Sequence, residues 1–256
     1  AGCLLQAVFQ NPLSDPFILG VSTGSSLGAV ALAVLPLSWG GVFPPRSLGA
    51  WLGGLAASGL VYAVAWSPGG PSPLTLLLSG VAVSSVLGAA ASMLLMGSGE
   101  VMQDLMFWMM GGFSGASREA LAPLVLALGV SLMLAWFFAR EIDLLSLGGE
   151  TAGSLGLNAG LARLGAVTIA ALAASSAVAA GGIIGFVGLV SPHVCRRFCG
   201  PGHRILIPAS ALGGACLLSA ADIPARLLVA PAEIPVGIVT ALLGGPFFLY
   251  LLRRKS

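Results

Sequence analysis

The chain has 256 residues, of which 57% are hydrophobic and only 8% charged, with a mean hydropathy of +1.01. Soluble domains carry roughly 25% charged residues, so this composition excludes a water-soluble globular enzyme and predicts a polytopic membrane protein. The 11 basic and 9 acidic residues nearly cancel, which leaves no nucleic-acid footprint.

A bilayer core is crossed by about 20 apolar residues of helix. Runs of that kind predict an all-α integral membrane protein of about nine segments: a partial one over 1–9, then 17–38, 48–66, 75–97, 120–139, 161–180, 183–197, 205–221 and 234–251. A shorter amphipathic stretch at 101–113, bounded by glycine, is placed at an interface. Residues 1–256 form one transmembrane domain with no soluble module or fixed-period repeat. The chain begins with Ala1 inside an apolar run and lacks a basic signal-peptide start, so it is read as an N-terminally truncated piece of a longer membrane protein. The 37 glycines and 16 prolines supply close helix approach and bends. Cys3, Cys195, Cys199 and Cys216 show no disulfide spacing and are read as free thiols. Basic residues in cytoplasmic loops set orientation. With a cytoplasmic C-terminus, Arg140, Arg163, Arg196, Arg197, Arg204, Arg253, Arg254 and Lys255 lie inside and Arg46, Arg118 and Arg226 outside.

The longest polar island between apolar runs is Arg140 to Arg163, with Glu141, Asp143 and Glu150 among leucines and glycines. Short amphipathic turns there would lie on a membrane face and offer themselves to a partner; the alternative is an ordinary solvated loop. Gln10-Asn11-Pro12-Leu13-Ser14-Asp15-Pro16 is a rigid polar turn, or simple helix punctuation. Gly181, Gly182, Gly185 and Gly188 leave nearly bare backbone for close packing or a passage, and Pro192 follows. His193, Cys195, Cys199 and His203 match no common zinc spacing, and Arg196 and Arg197 disfavour a bound cation. Arg226 lies between Asp222 and Glu233; it is either a solvated edge charge or a guanidinium that meets a partner's carboxylate. Met102, Met106, Met109 and Met110 suit packing or a soft substrate surface. There is no nucleophile elbow, no phosphate-binding glycine loop with its lysine and no convincing carboxylate pair. The chain is therefore read as a non-enzyme without cofactor or metal.

Together, FQNPLSDPFILGVSTGSSLG (9–28), LMFWMMGGFSG (105–115), LLSLGGETAGSLGL (144–157), GGIIGFVGLVSPHVCR (181–196), HRILIPASALGGA (203–215), ADIPARL (221–227) and AEIPVGIVTALLGGPFFLYLLRR (232–254) resemble the iron-chelate and vitamin B12 permease family (FecCD type) of bacterial ABC importers. The resemblance runs end to end and implies a ten-span permease of which about nine helices are present, the first span and part of the second being absent. It further implies two ABC ATPase subunits, a periplasmic binding protein, a second permease subunit in a homo- or heterodimer, and an inner-membrane location. The family's cytoplasmic coupling loop falls at 142–160, with Leu147, Gly148, Gly149 and Glu150 as ATPase contacts. Its cytoplasmic gate falls at Asn11, Pro12 and Leu13, with a second part at Ser72 and Pro73, and Arg226 matches a binding-protein docking arginine. The cargo implied is an iron-siderophore or haem-type chelate. Cobalamin is the alternative, since WMMGGF (108–113) is similar to the matching stretch of B12 permeases. An ion-gradient-driven transporter would place ionisable residues at mid-membrane depth in broken helices, whereas here the acids sit at span ends or in loops. A scaffold or channel without coupled transport would not need the Leu144 to Leu157 loop.

Overall fold

The computed structural model describes residues 1–34, 45–67, 70–113, 118–230 and 232–255. Their regular structure is entirely helical. Helix α1 (Gly2–Val8) ends on a turn in which Gln10 takes φ 50°. Asp15 then caps a 3-10 turn (Pro16–Leu19), and Gly20, at φ 72°, breaks it before α2 (Val21–Val34). The apolar run from 17 is thus a tight turn followed by a helix, because Gly20 supplies a left-handed conformation that side-chain-bearing residues resist.

Helices α3 (Pro45–Val64) and α4 (Pro73–Met96) follow. A 3-10 turn (Gly99–Val101) leads into the short α5 (Met102–Met109). Helix α6 (Arg118–Phe137) bends by 60° at Phe138 into α7 (Ala139–Ser146), and α8 (Gly149–Ser154) lies two residues on. The chain closes with α9 (Ala159–Gly181), α10 (Val187–Cys199), α11 (His203–Leu227) and α12 (Val236–Lys255).

By length and composition, four helices can cross a membrane among the described residues: 46–64 of α3, α4, α9 and α11. The bent α6–α7 pair makes a fifth if it is taken as one broken span, and α2 and α12 are shorter apolar helices. The segments expected at 1–9 and 183–197 appear as the short α1 and α10. Residues 183–186 are not helical, since Gly182 (φ 70°) and Phe186 (φ 66°) both hold left-handed backbone. Such irregular backbone survives at membrane depth only when protein covers it.

Helix α9 is the centre of the packing. Some 61% of its apolar window is buried, against 22% for α4 and for α11, and it contacts α1, α2, α3, α6, α7 and α8. Ala166, Ala170, Ser175 and Ser176 on it are wholly enclosed. Helices α2 and α3 cross through a paired small-residue motif, Gly24 and Gly28 against Gly49 and Gly53. A Cβ at any of the four would fall on the facing backbone carbonyl. This is how membrane helices gain contact when water exclusion does not drive them together.

Contacts between elements sort the polar residues into two ends. At one end, Gly70 lies against Gly160, and Gln6 joins Leu189 and Arg196, whose Nη2 donates to the Gln6 side-chain oxygen at 3.1 Å. At the other, the Gly112 N–H donates to Gly181 O (2.8 Å), Gly237 N–H to Gly111 O (3.3 Å) and Ile234 N–H to Ala225 O (2.9 Å). The 108–113 loop, the break after α9 and the start of α12 are thereby stitched together. Glycine at 182 and 237 is required there, because a Cβ would strike the carbonyl of Trp108 or Met110.

Candidate coupling and gating site

The polar island folds as two short helices laid across one end of the bundle. On α7, Ala139, Ile142 and Leu145 are buried while Arg140 and Ser146 are exposed. That spacing of three gives an amphipathic helix whose apolar face seats on α1, α9 and α11. Gly148 makes the corner between α7 and α8 at φ 104°. Leu147 (58% exposed), Leu155 (59%) and Glu150 turn outward. Apolar side chains held outward beside a carboxylate at the polar end of a membrane protein form a surface suited to another protein.

The two turns expected to act as a gate lie at this same end. Asn11 Oδ1 accepts from Leu13 N–H at 3.0 Å, locking the Asn11-Pro12-Leu13 turn. Ser72 caps α4, its Oγ accepting from Thr75 N–H at 3.1 Å, with Pro73 at the first helical position. No hydrogen bond joins the two turns among the described residues. Leu13 of the first turn lines a cavity of about 610 Å³ together with Phe17, Ile18, Gly80 and Phe186, and with Leu77 from further along α4. Asp15 is also at its wall. Burial raises its carboxyl pKa from the ordinary 3.8, and hydrogen bonds from the Phe17 and Phe186 N–H groups partly oppose that rise.

Two contacts were not singled out in the sequence. Arg163, in the first turns of α9, donates from Nη1 to Pro71 O at 3.1 Å. Its guanidinium also lies so close to Gly149 that a Cβ there would meet Nη2. One side chain therefore touches both the start of α8 and the residue before Ser72. Asp143 of α7 accepts at Oδ1 from the His203 N–H (3.0 Å) and lies 2.6 Å from His203 Nδ1. A reading along the chain sees both only as loop charges, because each partner is 60 or more residues away in sequence.

At the opposite end, Arg226 is half exposed and tied to its own chain. Nε donates to Asp222 Oδ2 at 2.7 Å and Nη1 to Glu233 Oε1 at 3.5 Å. Of the cysteine and histidine group, His203 is engaged by Asp143, Cys195 faces Ala209 O at 3.3 Å, and His193 packs edge-on to Phe247 with centroids 6.0 Å apart.

The sequence profile of the FecCD transport family matches residues 1–254. The chain is 44% identical to the cobalamin import system permease protein BtuC of Halobacterium salinarum, covering 100% of this chain and 68% of that protein. It is 40% identical to the hemin transport system permease protein HmuU of Yersinia pestis, over 100% of this chain and 77% of that one. A solved metal-chelate type ABC transporter in an inward-facing conformation superposes with a TM-score of 0.83 at 33% identity, covering 98% of this chain and 81% of that chain. PsaBC from Streptococcus pneumoniae, solved with a Fab, shares the fold at a TM-score of 0.59 and 16% identity, over 97% of this chain and 87% of that chain. With its helical architecture and membrane-length apolar helices, the chain belongs to the FecCD transport family as a membrane permease.

Proposed function

We propose that this permease is the transmembrane subunit of an ABC importer that moves a metal chelate from periplasm to cytoplasm, with ATP hydrolysed by partner subunits. The observation that carries the reading is the α7–α8 pair. It is seated by Ile142 and Leu145 and presents Leu147, Glu150 and Leu155 outward at the end that also holds Arg140, Arg163, Arg196, Arg197 and Arg204. An ATPase can drive a permease only through a stiff segment that both subunits grip.

In this reading the segment 142–160 is the coupling loop of a single transmembrane domain, and Leu147, Gly148, Gly149 and Glu150 are its ATPase contacts. Asn11, Pro12, Leu13, Ser72 and Pro73 form the cytoplasmic gate; the apolar cavity that Leu13 lines supports the first part of it. The basic end faces the cytoplasm of a bacterium, the membrane is the inner membrane, and the C-terminus is inside, as the bias of basic residues favours. A second permease subunit completes the passage. Arg226 docks the periplasmic binding protein after loosening from Asp222 and Glu233.

The cargo class follows from the relatives, which are named for cobalamin and hemin and for iron(3+) citrate. An iron chelate or haem is the first substrate and cobalamin the second. Proteoliposomes holding the full-length permease with its ATPase, with binding protein outside and ATP inside, test this by uptake of iron chelates, haem and cobalamin in parallel. ATP-dependent accumulation of one of them is expected. Accumulation driven by an ion gradient without ATP overturns the reading.

A further inference from the structure

Helix α11 starts without a cap from its own strand of sequence: Gly202 occupies that position and offers no side chain. The first N–H groups of a helix need partners, and here one is supplied from another element. Asp143 Oδ1, on α7, accepts from the His203 backbone N–H at 3.0 Å and meets the ring Nδ1 at 2.6 Å. The His203 side chain is only 4% exposed, and among the described residues its Nε2 has no hydrogen-bond partner and the ring's polar engagement is with Asp143. A carboxylate at a helix N-terminus also lies on the favourable end of the helix dipole. Around this pair, Ile142, Leu145 and Leu206 are fully buried and close the joint with apolar packing.

The two helices that meet here lead to different places. Helix α7 continues through Leu147 and Gly148 into α8. Helix α11 runs 25 residues to the opposite end, where Asp222 and Arg226 sit on its last turns and Ala225 O holds the segment leading into α12. We infer that Asp143 and His203 are positioning residues that clamp the ATPase-facing α7–α8 segment to α11, so that displacement of that segment is carried by α11 to the opposite face of the membrane. The inference rests on the importer reading above. Its content is a specific joint: a shared carboxylate oxygen rather than general packing.

The joint predicts an ordering of variants. Asp143→Ala removes both bonds. His203→Ala removes the ring bond and keeps the backbone one. Asp143→Asn keeps an acceptor at the same place. The readout is the coupling ratio, chelate moved per ATP hydrolysed, in proteoliposomes with ATPase and binding protein. That ratio is insensitive to the amount of folded protein, which a merely structural role would change. Losing hydrogen bonds to a charged group is worth roughly a tenfold change in an equilibrium, so the ratio should fall by about that factor in Asp143→Ala and by less in His203→Ala, while Asp143→Asn stays near the parent value. An unchanged ratio in both alanine variants overturns the joint, as does a fall in Asp143→Asn equal to that in Asp143→Ala. Should Asp143→Ala fail to fold, His203→Ala against Asp143→Asn decides alone. Absence of ATP-dependent uptake in the parent chain removes the importer reading, and this inference with it.

Discussion

Arg163 shows how one side chain can bind together regions that lie far apart in sequence. Its donation to Pro71 O and its contact with Gly149 place a charged fork between the start of α4 and the start of α8. Lysine, a point charge, cannot serve both sides at once. Arg163→Met and Arg163→Lys should therefore both reduce ATP-driven uptake, the former by roughly tenfold if the lost bond has the usual strength of one to a charged donor, with membrane insertion retained. Glu150→Arg probes the outward surface rather than the internal fork: it should abolish ATP-coupled uptake while leaving the permease folded, as checked by gel filtration in detergent. Unchanged uptake would remove Glu150 from the ATPase contact. Asp15 gives a pH test. Its pKa is raised in the folded chain by burial, so the ionised form is the disfavoured one, and its cost is absent below about 3.8 and sets in as pH rises through the raised value. The thermal midpoint in detergent should then gain as pH is lowered through the raised value toward about 3.8, and Asp15→Asn, which keeps an oxygen for the Phe17 N–H, should flatten that part of the slope.

At the scale of elements, much of the helical content was legible, because an apolar run of about 20 residues has few other solutions in lipid. Helices α4 and α9 lie within two or three residues of their expected bounds. The breaks were harder to read. Gly20 stands among glycines and serines that are helical elsewhere, and only its position after the Asp15 cap makes it a stop. The 183–186 stretch is as apolar as any helix, yet it breaks: left-handed Gly182 lies against Trp108 and Gly111, Gly237 approaches Ile183, and the ring of left-handed Phe186 lies against Gly244, and no local signal carries those contacts. The paired short helices α7 and α8 were visible as a polar island, whereas the Arg163 contacts and the Asp143–His203 pair were not, since charge alone does not name a distant partner. The α2–α3 crossing yields a stability test with an internal control. Gly49→Ala or Gly53→Ala places a methyl on a facing carbonyl and should cost about 3 kcal/mol or lower the midpoint beyond recovery. Gly59→Ala, on the same helix, meets nothing within 4 Å and should be neutral or stabilising by up to about 1 kcal/mol. Equal effects would show that the crossing is not set by these glycines.

For the molecule as a whole, the proposed importer needs its two ends to respond to different partners, and Arg226 is the sharpest place to test the end away from the coupling helices. Its guanidinium is held by Asp222 and, at a longer 3.5 Å, by Glu233, with all three groups partly exposed. Exposed pairs of this kind are weak and easily exchanged, so an incoming carboxylate from a binding protein can take the place of Glu233 without a large loss. The acids on the chain then act as competitors. Glu233→Gln removes one competitor and should tighten binding-protein association by roughly two- to fivefold at low salt, whereas Arg226→Glu should weaken it by more. Both effects should shrink as ionic strength rises toward about 0.5 M, where screening shortens the reach of surface charges. Association rates measured on permease in nanodiscs across a salt series separate the outcomes. Weaker binding in Glu233→Gln would make Glu233 part of the docking surface rather than a competitor for Arg226.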